Sequence, residues 1–179
     1  QSFDSRILKF LDRLHSPEDS IKTFKNARLA GFNNINADLI FNIPGQSLER
    51  WRKDIEHLIS LDLEHISTYS LTVEKGTPLN SEVKKGNIIM PDEDIDITMY
   101  QSGLNKLISN NYIQYEISNF SKKNKECLHN LHYWNLDPYL SFGPSAHSYN
   151  KTKRWWNIKT LDRYLTKIAQ NTLPISDEE

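Results

Sequence analysis

With 179 residues, 37% of them hydrophobic, the chain carries enough apolar material for a sizeable core and reads as globular rather than disordered. Its 22 basic and 23 acidic residues nearly cancel, which excludes the strong positive field that draws proteins to nucleic acid. The single cysteine excludes an internal disulfide, and no apolar run nears the ~18 residues of a membrane span, so a cytoplasmic protein without membrane association is expected.

The chain opens QSFD with no initiator methionine and runs at once into a helical pattern from Asp4 to Leu11, so a piece of a longer protein is expected. Ser16-Pro17-Glu18-Asp19 supplies an N-cap, a proline at the first helical position and acids in the first turn. The helix they start should reach Ala30 and stop at Gly31. NINADLIF (34–41) reads as a strand, broken by Pro44-Gly45. Ser47 then caps a helix whose Trp51, Ile55, Leu58 and Ile59 form one apolar stripe, and HISTYSLT (65–72) reads as the next strand.

A third long helix, capped by Pro91-Asp92-Glu93-Asp94 and carrying Tyr100, Leu104, Leu107 and Ile108 on one side, leads into YIQYEIS (112–118), a predicted strand. Parallel strands need a crossover that a helix can supply, so this alternation predicts part of a β/α barrel with parallel strands. Beyond Phe120 the texture changes to polar SKKNKE, aromatic ECLHNLHYWN, a Gly143-Pro144-Ser145 turn, KRWWN, and a last helix with Leu161, Tyr164, Leu165 and Ile168 in phase. A boundary near residue 120 is expected, and the uncapped acidic end LPISDEE predicts a second domain that continues further.

Asp38 stands inside an otherwise apolar strand, where a carboxylate needs a partner. Two readings are open. Active sites of β/α barrels form at the C-terminal strand ends, so Asp38, Gln1 and Thr72 could share one cleft; alternatively, Asp38 forms a structural ion pair with Arg13. NIPGQS (42–47) has one glycine and no Lys-Ser/Thr pair, which fits a plain βα turn better than a phosphate loop.

In ECLHNLHYWN, Cys127, His129 and His132 would need a fourth ligand for zinc, and the histidines at 15, 57, 65 and 147 offer no second spaced pair. A nucleophilic Cys127 would need a base and an orienting group, and sequence proximity of His129 does not provide that geometry. An imidazole backed by Tyr133 and Trp134 suits a haem macrocycle, with iron ligated by nitrogen and the ring covered by aromatic faces. A turn whose aromatics fill a core remains open beside it.

Taken together, QSFDSRILKFLDRLHS, INADLIFNIPGQSLERW, HISTYSLTVEKGTPL, YIQYEISNF, ECLHNLHYW and GPSAHSYN, in that order, resemble radical S-adenosylmethionine proteins of the oxygen-independent coproporphyrinogen III oxidase family. The resemblance covers essentially the whole chain. Within the family, His129-Asn130-Leu131-His132-Tyr133-Trp134 matches the HNxxYW signature of the HemW branch, the haem chaperones.

The resemblance implies an α/β fold: the C-terminal part of an incomplete (β/α)6 radical SAM barrel over residues 1–120, then the start of a smaller α+β region over residues 121–179. It implies S-adenosylmethionine and a [4Fe-4S] cluster in the full-length protein, with haem or porphyrin as ligand and a haem-receiving protein as partner. The cluster motif belongs to the part of the family pattern ahead of this chain, and Cys127 alone cannot replace its thiolates, so no radical chemistry is expected from the chain by itself.

By the same resemblance, Gln1 meets the nucleoside ribose, Arg13 the methionyl carboxylate, and Asp38 makes a further polar contact to S-adenosylmethionine. Thr72 edges the adenine, His147 lies near that pocket, and His129 is the haem contact. The implied function is haem trafficking; the alternative is oxidative decarboxylation of coproporphyrinogen III in porphyrin biosynthesis. Two positions depart from the family pattern: Asn42 stands where glycine is usual after the strand, and Ser145 in a turn that is often richer in glycine.

Overall fold

Side-chain caps start the longer helices of the structure, a computed structural model that describes residues 1–179. The Asp4 carboxylate accepts from the Arg6 amide at 2.8 Å and opens α1 (Ser5–Phe10). Ser16 and Asp19 satisfy each other's backbone amides in a capping box at the head of α2 (Pro17–Leu29). Ser47 Oγ accepts from the Arg50 amide at 3.2 Å at the head of α3 (Leu48–Ser60), which lies between the strands β1 (Asn36–Phe41) and β2 (His65–Ser70). Thr77 opens a short α4 (Pro78–Lys84), and Asp92 opens α5 (Glu93–Ile108), with acids in the first turn facing the positive helix end.

The chain divides into two compact units, Gln1–Glu126 and Cys127–Glu179. In the first, β1 and β2 pair in parallel with Asn36 opposite His65 and Asp38 opposite Ser67, joined by α3 as a crossover. The expected strand at 112–118 is instead a hairpin of β3 (Ile113–Gln114) and β4 (Asn119–Ser121). The chain reverses because the Glu116 carboxylate accepts from the Ser118 amide at 2.9 Å, while the Tyr115 amide bonds the Asn119 carbonyl at 3.2 Å. β4 therefore enters antiparallel to β2, and the sheet order is β1-β2-β4-β3. The α/β class stands, but the sheet is mixed rather than wholly parallel.

One face of this sheet carries the core. Leu39, Phe41, Ile66 and Phe120 pack against Trp51, Ile55 and Leu58 of α3 and Met99 and Leu107 of α5. Each such side chain, fully buried, is worth roughly 1.5–3 kcal/mol of transfer free energy. Trp51 is 0% exposed, and its indole N–H donates to the Met99 carbonyl at 2.8 Å, which lets a polar nitrogen sit in the apolar layer. Gly103 brings α5 against that ring: a Cβ there would lie 3.0 Å from Trp51 Cζ2.

The second unit contains α6 (Leu128–Trp134), a three-stranded antiparallel sheet of β5 (His147–Tyr149), β6 (Arg154–Asn157) and β7 (Ile175–Glu178), and α7 (Leu161–Ala169). No helix of the chain is long and apolar enough to cross a membrane.

Candidate functional site

The sheet face turned away from the core is polar. Strand alternation puts Asn36 and Asp38 of β1, His65 and Ser67 of β2, and Asn119 and Ser121 of β4 on one side, because each is the register partner of another. Asp38 is exposed and Leu39 buried, as that alternation requires. The expectation of a carboxylate buried in an apolar strand is thus corrected: the apolar residues of β1 turn toward the helices and Asp38 turns the other way. Its Oδ1 accepts from Asn36 Nδ2 at 2.7 Å. The ion pairs near the chain start are Arg6–Asp4 and Arg50–Asp4, and Arg13 makes none, so the Asp38–Arg13 pair does not form.

Behind Asp38 runs a chain of neutral groups. Asn36 Oδ1 lies 2.6 Å from His65 Nδ1 and accepts from Ser67 Oγ at 3.3 Å. His65 Nε2 lies 2.7 Å from the Tyr115 hydroxyl. His65 is 5% exposed, and burial lowers its pKa against the opposing pull of Asp38, Glu116 and Glu126, so the imidazole is neutral near pH 7.

The segment before α1 lies along the edge of β1, where the Gln1 carbonyl accepts from the Ile40 amide at 2.9 Å. Asp54 of α3 fixes it, accepting from Ser2 Oγ at 2.5 Å and from the Phe3 amide at 3.0 Å. Burial pushes the Asp54 carboxyl upward in pKa, and those two hydrogen bonds oppose the rise. Phe3 stacks on His57 with ring centroids 4.1 Å apart.

Gln1 and Asp38 line a cavity of about 450 Å³ together with Thr23 and Phe24 of α2 and Leu58 of α3. Arg13, exposed in the turn after α1, is not among its lining residues. Thr72 lies beyond the end of β2, exposed, its hydroxyl donating to the Ser70 carbonyl at 3.4 Å.

The second unit holds the two other expected site residues. His147 is exposed on β5 and stacks on Trp156 at 5.5 Å. His129 is exposed on α6, makes no hydrogen bond through its ring, and meets Tyr133 edge-on at 5.1 Å. Tyr133 continues to Tyr139 at 4.7 Å and Tyr139 to Tyr149 at 6.1 Å, an aromatic row beside the imidazole.

No family model matches the chain. It is 37% identical over 177 residues to a Bacillus subtilis protein named heme chaperone HemW, a match covering 99% of this chain and 47% of that protein. Over 179 residues it is 35% identical to a Mycobacterium tuberculosis protein of the same name, covering 100% of this chain and 46% of that protein. The chain is thus similar, over nearly every residue, to proteins named heme chaperone HemW.

The chain spans about half the length of the curated relatives it matches. Its fold superposes on the radical SAM enzyme coproporphyrinogen III oxidase (HemN) of Escherichia coli with a TM-score of 0.79, covering 100% of this chain and 44% of that one at 17% identity. The donor set present does not fit an iron–sulfur cluster: there is one cysteine, and no three His, Cys, Asp or Glu side chains gather to hold a metal ion. The cavity at Gln1 and Asp38 sets an amide and a carboxylate beside apolar side chains such as Phe24 and Leu58, and the His129 ring nitrogens make no hydrogen bond.

Proposed function

We propose that this chain is part of a haem-trafficking protein built on a radical SAM scaffold, with haem as cargo and S-adenosylmethionine and the [4Fe-4S] cluster as cofactors of the whole protein. The observation that carries the reading is the 35–37% identity, over nearly every residue, to proteins named heme chaperone HemW. In this reading Gln1, Arg13, Asp38 and Thr72 contact S-adenosylmethionine, with His147 near the same cofactor. His129 offers an imidazole nitrogen to haem iron, and the Tyr133–Tyr139–Tyr149 row gives the macrocycle an apolar wall. A haem-receiving protein is the partner. Balanced charge argues against a nucleic-acid partner, and the single cysteine and absence of a membrane-spanning helix suit the cytoplasm. The oxidase alternative has weaker support, because the HemN likeness at 17% identity speaks for the fold alone.

The test is optical haem titration of the full-length protein against its His129→Ala variant, beside a coproporphyrinogen turnover assay. Loss of the haem-bound absorption band in the variant, with no turnover in either sample, is expected. Unchanged haem binding in His129→Ala removes His129 from the reading, and porphyrinogen turnover replaces the chaperone with the enzyme.

A further inference from the structure

The hydrogen bonds behind Asp38 have only one consistent direction. A carboxylate accepts and does not donate, so the Asn36 amide must turn its Nδ2 toward Asp38, as its 2.7 Å contact records. Asn36 Oδ1 is then the acceptor facing His65 Nδ1 at 2.6 Å, and Ser67 Oγ donates to the same oxygen. The proton between Asn36 and His65 must therefore reside on Nδ1. In a neutral imidazole Nε2 is then the acceptor, so the Tyr115 hydroxyl donates to it at 2.7 Å. Every donor in Tyr115→His65→Asn36→Asp38 points the same way, toward the one charged and exposed member.

From this geometry we infer that Asn36 and His65 are positioning residues that hold the Asp38 carboxylate at a fixed angle for a ligand carrying a cationic or hydroxyl donor. The inference rests on the assignment of Asp38 to S-adenosylmethionine and names what makes that side chain ready to bind. Asp38 is exposed on β1 and makes its side-chain hydrogen bond to Asn36. Without the amide, the carboxylate would rotate in solvent, and a ligand would have to order it. Asn36 is itself exposed and would rotate too. His65 and Ser67, buried in the middle of the sheet, stop it. The relay thus transmits the rigidity of β2 to a charged group on β1, which lowers the ordering cost of binding.

The test measures S-adenosylmethionine affinity of the full-length protein by calorimetry. Asp38→Ala is expected to weaken binding about tenfold or more, as loss of a charge-assisted contact does. Asn36→Leu and His65→Leu should each weaken it about threefold to fivefold, whereas His65→Asn, which keeps a donor near the Nδ1 position, should restore affinity to within about twofold. In the double variant Asn36→Leu/Asp38→Ala, the Asn36 change should cost nothing further, because the amide acts only through the carboxylate.

Asp38→Ala without effect defeats the cofactor assignment and the relay together. An effective Asp38→Ala beside an ineffective Asn36→Leu, or additive losses in the double variant, defeats the relay alone. Imidazole ¹⁵N resonances of the unsubstituted protein give a readout that needs no variant to fold: His65 should be neutral with the proton on Nδ1, and a proton on Nε2 overturns the inference.

Discussion

Replacing Glu64 should loosen the entry to both parallel strands. Its carboxylate accepts from Arg28 Nη2 at 2.9 Å and from the Ile35 amide at 2.9 Å, tying α2 and the start of β1 to the residue just before β2. Arg28 keeps two other acceptors in the Phe32 and Asp62 carbonyls, so Glu64→Ala leaves the guanidinium partly satisfied but strands the Ile35 N–H. Hydrogen bonds to a half-buried charged group are worth about 1.5–3 kcal/mol, and the loss should amount to about 2 kcal/mol.

Glu64→Gln retains one acceptor and turns an NH₂ toward the other donor, at a cost of about 1 kcal/mol. Urea unfolding followed by circular dichroism gives the totals, and hydrogen exchange at the Ile35 amide gives the local effect. The pH dependence has a definite sign. Burial alone would raise the Glu64 pKa, but the Arg28 and Ile35 hydrogen bonds and the Arg28 charge outweigh it and hold the carboxyl below its usual value. A depressed folded pKa stabilises above the unfolded value of about 4.3 and is lost as pH falls through the folded one. The gap between wild type and Glu64→Gln should therefore narrow below about pH 4. A Glu64→Ala protein as stable as wild type, with Ile35 still protected, would refute the reasoning.

Two further substitutions probe the backbone and the helix contact. Gly103→Ala pushes a methyl to 3.0 Å from Trp51 Cζ2 and 3.1 Å from Ile55 Cδ1, and overpacking of this kind should cost about 1–3 kcal/mol in a urea titration; no loss would mean that α3 and α5 can separate freely. Ser145 holds a left-handed backbone with φ of 59°, so Ser145→Gly should raise stability by about 1 kcal/mol, and a decrease would show that the serine side chain matters more than its backbone strain.

The elements most legible in the sequence are those started by local chemistry. Ser16, Ser47 and Asp92 begin helices where the sequence places them, because a cap needs only residues three positions away. Gly76-Thr77-Pro78 carries the same signature and opens α4, which is hard to see in the sequence because the apolar stripe that supports a longer helix is missing there. The β3–β4 hairpin was not legible for a different reason. From Ile113 to Ser118 the segment YIQYEIS alternates apolar and polar residues, so a continuous strand satisfies the pattern as well as a reversal does. The turn is decided by Glu116 accepting the Ser118 amide, a contact invisible to periodicity. Asn42 and Ser145, where the family pattern favours glycine, both adopt positive φ, at 61° and 59°, a backbone that asparagine tolerates better than most residues.

The candidate site was half visible. Asp38 stood out as a charge in an apolar run, but the physical inference drawn from it, a buried carboxylate in need of a cation, started from the wrong face of the strand. The better signal was the polar pair at i and i+2, which recurs as Asn36/Asp38, His65/Ser67 and Asn119/Ser121 and marks one face of three paired strands. That arrangement follows from what burial costs. An ionised carboxylate set in the sheet's middle would lose its hydration without compensation, whereas a neutral imidazole, an amide and a hydroxyl can satisfy one another there. The fold therefore keeps its charge at the exposed Asp38 of β1 and sets the neutral donors behind it on β2.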